Sequence, residues 1–197
     1  MKKSEGIIVK WLYVGLFLVM LMVVVGGVTR LTHSGLSMVD WKLISGALPP
    51  ITEEAWEATF EKYKQFPEYL KTNVGMQLSE FKSIFFWEYL HRVLGRFVGI
   101  VFIIPYLFFL FKGWVSKELK VKLFVLFLLG AMQGGIGWFM VKSGLVDRPS
   151  VSHFRLAIHL SAAFTLIVYI YWLILGLTKI QRRPDKAVFR LTLSLLL

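Results

Sequence analysis

The stretch from Trp87 to Arg96 holds four residues able to do chemistry at helical spacing: Glu88, His91, Arg92 and Arg96. A carboxylate moves protons, an imidazole ligates a metal or carries a proton, and guanidinium forks grip carboxylates. Glu88 and His91 stand three apart, so on a helix they share a face. After Arg96 the chain is apolar as far as Phe111. A charged side chain at the centre of a bilayer costs on the order of 3 kcal/mol, so ionisable groups in such a setting mark a candidate site. His159, near the start of another apolar run, is the second imidazole of this kind.

Composition explains the setting. Hydrophobic residues make up 56% of 197 residues and aromatics 16%, with a mean hydropathy of +0.64; this fits an integral membrane protein rather than a soluble domain. The net charge of +11 then reads as membrane topology and not as nucleic-acid binding. Cysteine is absent, which excludes iron–sulfur clusters, thiolate-ligated haem, covalent c-type attachment and disulfides.

The elements that must position these residues are four membrane spans. The first is Trp11 to Val28, eighteen residues without a charge and with no A-x-A cleavage site after them. The others are Phe85 to Phe111, Leu123 to Val141 and Leu156 to Thr178. The expected fold is an all-α integral membrane protein with a four-helix bundle over 1–180, interrupted by an outer loop at 29–84. The part from 181 to 197 reads as a cytoplasmic loop and the start of a truncated fifth helix, because its apolar run of about ten residues is too short to span. Within the outer loop, Thr52 with Glu53 and Glu54 reads as a helix start, and Ser79-Glu80 as a second cap. That loop is expected to be structured.

Lys and Arg number twelve in the 33 residues of the tail, second and fourth loops, against nine in the 70 residues of the first and third. The N-terminus is therefore expected in the cytoplasm. Counted from Phe85 and Ser152, His91 and His159 lie about 9 and 10 Å into parallel helices at 1.5 Å per residue. Two neutral imidazoles at one depth, facing each other across a bundle, form the axial pair that a haem iron needs. Gly95 and Gly99, with Ala162 and Ala163, are expected to clear space for the ring. Arg92, Arg96 and Arg155 lie toward the outer end, where propionates would meet water.

Each feature also has a plainer role. A membrane histidine serves as an interhelical contact, Gly95-x-x-x-Gly99 as a packing motif, the arginines as snorkelling anchors, and Glu88 as a partner of the helix dipole. His33 and His153 are placed in or beside loops and are not chosen as ligands.

Six runs carry a family resemblance. They are Gly26-Gly27-Val28-Thr29-Arg30-Leu31-Thr32, Ser34 to Trp41, Phe86-Trp87-Glu88 with His91-Arg92 and Gly95-Arg96, Gln133 to Trp138, Met140 to Leu145, and Val151 to Leu160. Together they resemble haem A synthase of the cysteine-free proteobacterial and mitochondrial type, along nearly the whole chain. The resemblance implies one half of an eight-helix, pseudo-symmetric fold that oxidises a ring methyl of haem O to a formyl group. It implies Glu88 as the essential acid, His91 and His159 as the histidine pair of the N-terminal half holding the substrate haem, and a haem B held by a second half that this chain lacks. His33 and His153 fall on positions that the family does not use as ligands.

Partners implied are haem O, the lipid bilayer, and a haem O synthase or cytochrome oxidase assembly factors, with a homo-oligomer left open. The alternatives are a b-type cytochrome or haem-handling protein, which needs the two histidines but no acid, and a colourless assembly subunit. Without an Arg- and Ser-rich transit segment, a bacterial plasma membrane is the expected location.

Overall fold

A computed structural model of the chain describes residues 3–39, 48–147 and 149–178. These form six helices: α1 (Lys3–Leu31), α2 (Glu53–Tyr63), α3 (Pro67–Lys71), α4 (Leu78–Phe111), α5 (Lys117–Asp147) and α6 (His153–Leu177). There is no strand among the described residues. Helices α1, α4, α5 and α6 are long and apolar enough to cross a membrane, so the architecture is the expected all-helical, multi-pass one. The expected start of a fifth helix, with the loop before it, lies outside the described residues.

The spans are longer than the uncharged runs that announce them. Lys, Glu and Gln are good helix formers, so helical structure continues past the first charge. In α4 the difference lies at the start, which is Leu78 and not Phe85. The Gln77 backbone N–H donates to Glu80 Oε2 at 2.8 Å, closing the first turn as a capping box does. Ser79, expected as the cap, lies inside the helix. Likewise α5 continues to Asp147, well beyond Val141.

Helix α1 packs along both α4 and α6, α6 packs along α5, and α4 touches α5 only lightly. The bundle is tight at one end. There Ile8, Leu12, Leu123, Leu126, Ile170 and Ile174 are buried together with their neighbours. Trp11 pins α1 to α4 at this level, its Nε1–H donating to Val101 O at 2.8 Å. The reason lies four residues on: Pro105 has no N–H, so the Val101 carbonyl loses its helical donor. In a membrane that acceptor must be satisfied from elsewhere, and the indole supplies it. Toward the opposite end packing is looser. Helix α6 buries nothing before Ala163, and α4 buries nothing between Glu88 and Phe109.

The described part of the long loop between α1 and α4 folds into a cap, structured as expected. Thr52 caps α2, its Oγ1 accepting from the Ala55 N–H at 3.2 Å. Phe60 and Tyr63 of α2 lie against Phe81 of α4, with ring centroids 4.9 and 5.0 Å apart, and Trp56 meets Phe85 edge-on. Buried inside this aromatic cluster is an acid, Glu68. Tyr63 Oη donates to it at 3.1 Å and itself accepts from Asn73 Nδ2 at 2.7 Å. Burial, eased by the tyrosine bond and reinforced by the charge of Glu88, pushes the Glu68 carboxyl up to about 8. The Tyr63 phenol is likewise pushed up, by burial and then by Glu68.

Candidate functional site

Between α1 and the cap the chain makes a short plug that reaches the looser end of the bundle. Ser34 N–H donates back to Thr29 O at 2.9 Å, and His33 turns the chain at a φ of 52°. Leu36 is buried against Gly144 of α5, so close that a Cβ there would lie 3.0 Å from Leu36 Cδ2. Ser37 and Met38 then meet Glu88 of α4. Both oxygens of this buried carboxylate are occupied: Oε2 accepts from Ser37 Oγ at 2.7 Å and from the Met38 N–H at 2.8 Å, and Oε1 accepts from Arg92 Nη2. Arg92 also donates to Met38 O at 3.1 Å. Glu88 and Arg92 thus form an ion pair that fastens the plug to α4.

One turn deeper lie the two imidazoles. His91 on α4 stands over Gly26 of α1, where a Cβ would lie 3.2 Å from Nε2. His159 on α6 stands over Gly137 of α5, where a Cβ would come within 2.9 Å of Cε1. A Cβ would push the ring away at Gly137 and crowd it by a few tenths of an ångström at Gly26. Gly26 is five residues from the end of α1 and His159 six from the start of α6, or about 8 and 9 Å at 1.5 Å per residue. The two rings are at comparable depth by this measure, although the count from Phe85 does not survive the earlier start of α4. His159 Nδ1 is buried without a hydrogen-bond partner among the described residues. Two imidazoles in glycine notches, one with an orphaned ring nitrogen, fit an axial pair for a metal held in the bundle.

The three arginines do not form one cluster. Arg92 is committed to Glu88 and the Met38 carbonyl. Arg96 is partly buried one turn further along α4. Arg155 lays its guanidinium over the Phe139 ring of α5, 4.8 Å from the centroid. His153 is exposed, with Nδ1 3.4 Å from Arg30 Nη2. The glycines expected to clear space serve differently. Gly95 faces Met22 of α1 at 3.5 Å, a packing contact, and Gly99 faces open space.

This disposition of acid, histidines and glycines coincides with a family match. The family model described as COX15-CtaA, cytochrome oxidase assembly protein, matches residues 9–197. The chain belongs to this family. Three curated relatives are named heme A synthase. The one from Flavobacterium psychrophilum is 50% identical over 203 residues, covering 100% of this chain and 60% of the relative. The one from Nitrosospira multiformis is 56% identical over 167 residues, covering 85% and 47%. The one from Bradyrhizobium diazoefficiens is 50% identical over 187 residues, covering 95% and 52%. The chain thus spans about half the length of the curated relatives it matches. No solved structure matches it.

For this COX15-CtaA member, Ser37 and the Met38 N–H are the contacts to Glu88 that residue type alone did not reveal. Their runs were visible in the sequence, but nothing in a serine announces a carboxylate 51 positions away. Gly26 and Gly137 carried a signal that was present and unread. Each sits in a glycine-rich stretch of a span, Gly26-Gly27 and Gly134-Gly135-x-Gly137, opposite a helix that bears a histidine.

Proposed function

We propose that this chain holds haem O between His91 and His159 and takes part in its oxidation to haem A. The single observation that carries this reading is that each of the two imidazoles lies against a helix glycine, supported by family membership and by relatives named heme A synthase. Turning a ring methyl into a formyl group is a four-electron oxidation that adds one oxygen atom; the electrons go to an acceptor and the oxygen comes from water or dioxygen, neither of them part of this chain. What the protein supplies is placement. His91 and His159 would hold the iron, and the small faces of Gly26 and Gly137 leave room for their imidazoles.

Glu88, at i−3 from His91, is the group positioned to take protons as the methyl is oxidised. To do so it must exchange one of its present donors, and Arg92 is the one at its free edge. Releasing Glu88 would at the same time free the Arg92 guanidinium for a propionate, with Arg96 and Arg155 as the further cations on the outer side. The setting is a bacterial plasma membrane with the N-terminus in the cytoplasm and the cap outside.

A second reading, a haem-binding membrane protein without oxidation chemistry, is favoured by one observation. Both Glu88 oxygens are already satisfied by Ser37, Met38 and Arg92, as expected of an acid that only fastens the plug.

Absorption and pyridine haemochrome spectra of the purified chain test the binding step. Wild type is expected to carry haem, and His91→Ala and His159→Ala to lose the low-spin spectrum. A colourless wild type would sink both readings. Glu88→Gln, introduced into a full-length relative, separates them. Retained haem with haem A output lost supports the oxidative role, and undiminished output leaves Glu88 as a fastener.

A further inference from the structure

We propose that Gln133 on α5 is the positioning residue of His159, fixing which imidazole nitrogen is presented to the iron. This rests on the haem reading above. Gln133 Nε2 donates to His159 O at 3.0 Å. A backbone carbonyl only accepts, so the amide nitrogen must face α6, and the orientation of the amide is set by chemistry. Its oxygen, Oε1, is then left buried without a partner among the described residues, and so is His159 Nδ1.

Each such orphan is destabilising, because the group has given up water and gained no partner. The two are complementary: Oε1 is an acceptor lacking a donor, and Nδ1 becomes a donor in one of the two neutral tautomers. Gln133 and Gly137 are four apart on α5, so they share a face, and Gly137 is the residue the His159 ring lies against. The glutamine is therefore anchored to the histidine's own backbone, on the face that the ring occupies. A bond from Nδ1–H to Oε1 removes both orphans at once. It also places the proton on Nδ1 and leaves the Nε2 lone pair for the metal, as the outer partners of metal-bound histidines do. The plainer role, a helix-to-helix strut, uses Nε2 and leaves both orphans unexplained.

The test is haem titration and spectroelectrochemistry on the purified full chain for wild type, Gln133→Leu, Gln133→Glu and His159→Ala. Gln133→Leu is expected to weaken haem binding by about ten- to a hundredfold and to raise the midpoint potential. Gln133→Glu is expected to bind haem and to lower the midpoint below wild type, because a carboxylate acceptor draws the Nδ1 proton and makes the ring a stronger donor to iron. A strut that makes no bond to the ring has no reason to raise the potential when Gln133 becomes leucine, whereas a nearby carboxylate lowers it by charge alone, so the neutral substitution carries the decision. Should Gln133→Leu fail to insert, Gln133→Met takes its place with the same expected rise. If His159→Ala abolishes the low-spin spectrum while the neutral substitution leaves the midpoint unmoved or lowers it, the proposal is overturned and the haem reading stands. A wild type that takes up no haem, or a His159→Ala variant with an unchanged spectrum, overturns both.

Discussion

A single missing methyl group decides whether an imidazole can stand where His159 stands. At Gly137 an added Cβ would meet Cε1 at 2.9 Å, and at Gly26 it would meet His91 Nε2 at 3.2 Å. The first is closer than real Cβ atoms come, so the ring must move; the second asks a neighbour to yield by a few tenths of an ångström. Gly137→Ala is therefore expected to weaken haem uptake by roughly tenfold or more, Gly26→Ala by less, and Gly134→Ala, which meets nothing within 4 Å, not at all. Haem titration of the three purified variants orders them, and equal affinities for Gly137→Ala and Gly134→Ala would remove the notch from the site. At the same scale, Glu88 and Arg92 are readable as an i, i+4 pair on a helix. Ser37 and Met38 are not readable, because a donor that arrives from a distant plug leaves no local pattern.

Among the elements, α4 is held by a side chain that stands in for backbone. Trp11→Phe keeps most of the packing against Phe102 and Phe109 but leaves Val101 O without its donor. A cost of about 1–3 kcal/mol is expected, read as a lower midpoint of thermal unfolding in detergent. Pro105→Ala restores the helical N–H, so in that background the same change should cost much less; an equal loss in both would show that the bond contributes nothing.

The cap carries its own pH dependence through Glu68. Its carboxyl titrates at about 8 when folded against 4.5 in a model chain, so the folded cap binds the proton more tightly. Stability is then fully present below 4.5 and is lost progressively as the pH rises to about 8. Limited proteolysis of the α2–α3 segment is expected to be faster at about pH 9 than at about pH 5, beyond the protease's own pH response. Glu68→Gln should flatten the difference, and an unchanged ratio in that variant would place the effect elsewhere.

For the whole molecule, the proposed orientation, which rests on the count of Lys and Arg, has the cap outside and the loop between α4 and α5 inside. The absence of cysteine makes the chain a clean background for labelling. In intact cells, a membrane-impermeant maleimide is expected to reach Glu57→Cys on the exposed side of α2, and to reach Lys120→Cys only after permeabilisation. The reverse pattern would invert the topology. The molecule is also uneven along its length, dense around Ile8, Leu123 and Ile174 and looser around the histidines.

The sequence by itself determined the class, the spans and the residues able to ligate. Those depend on the energy of moving side chains between water and hydrocarbon, a property each residue carries wherever it sits. It also marked Glu88, His91 and His159, since ionisable groups in apolar runs are costly enough to be conspicuous. Helix ends escaped it, because a capping box such as that of Gln77 and Glu80 can begin a helix well before the apolar run does. Only the tertiary structure decided which glycine faces which histidine, that Ser37 and Met38 reach Glu88, that Pro105 needs Trp11, and that Gln133 and His159 each bury an unpaired atom. All four bring together groups far apart in the chain. They depend on the rotation of one helix about its axis relative to another, which packing sets and the local sequence does not encode.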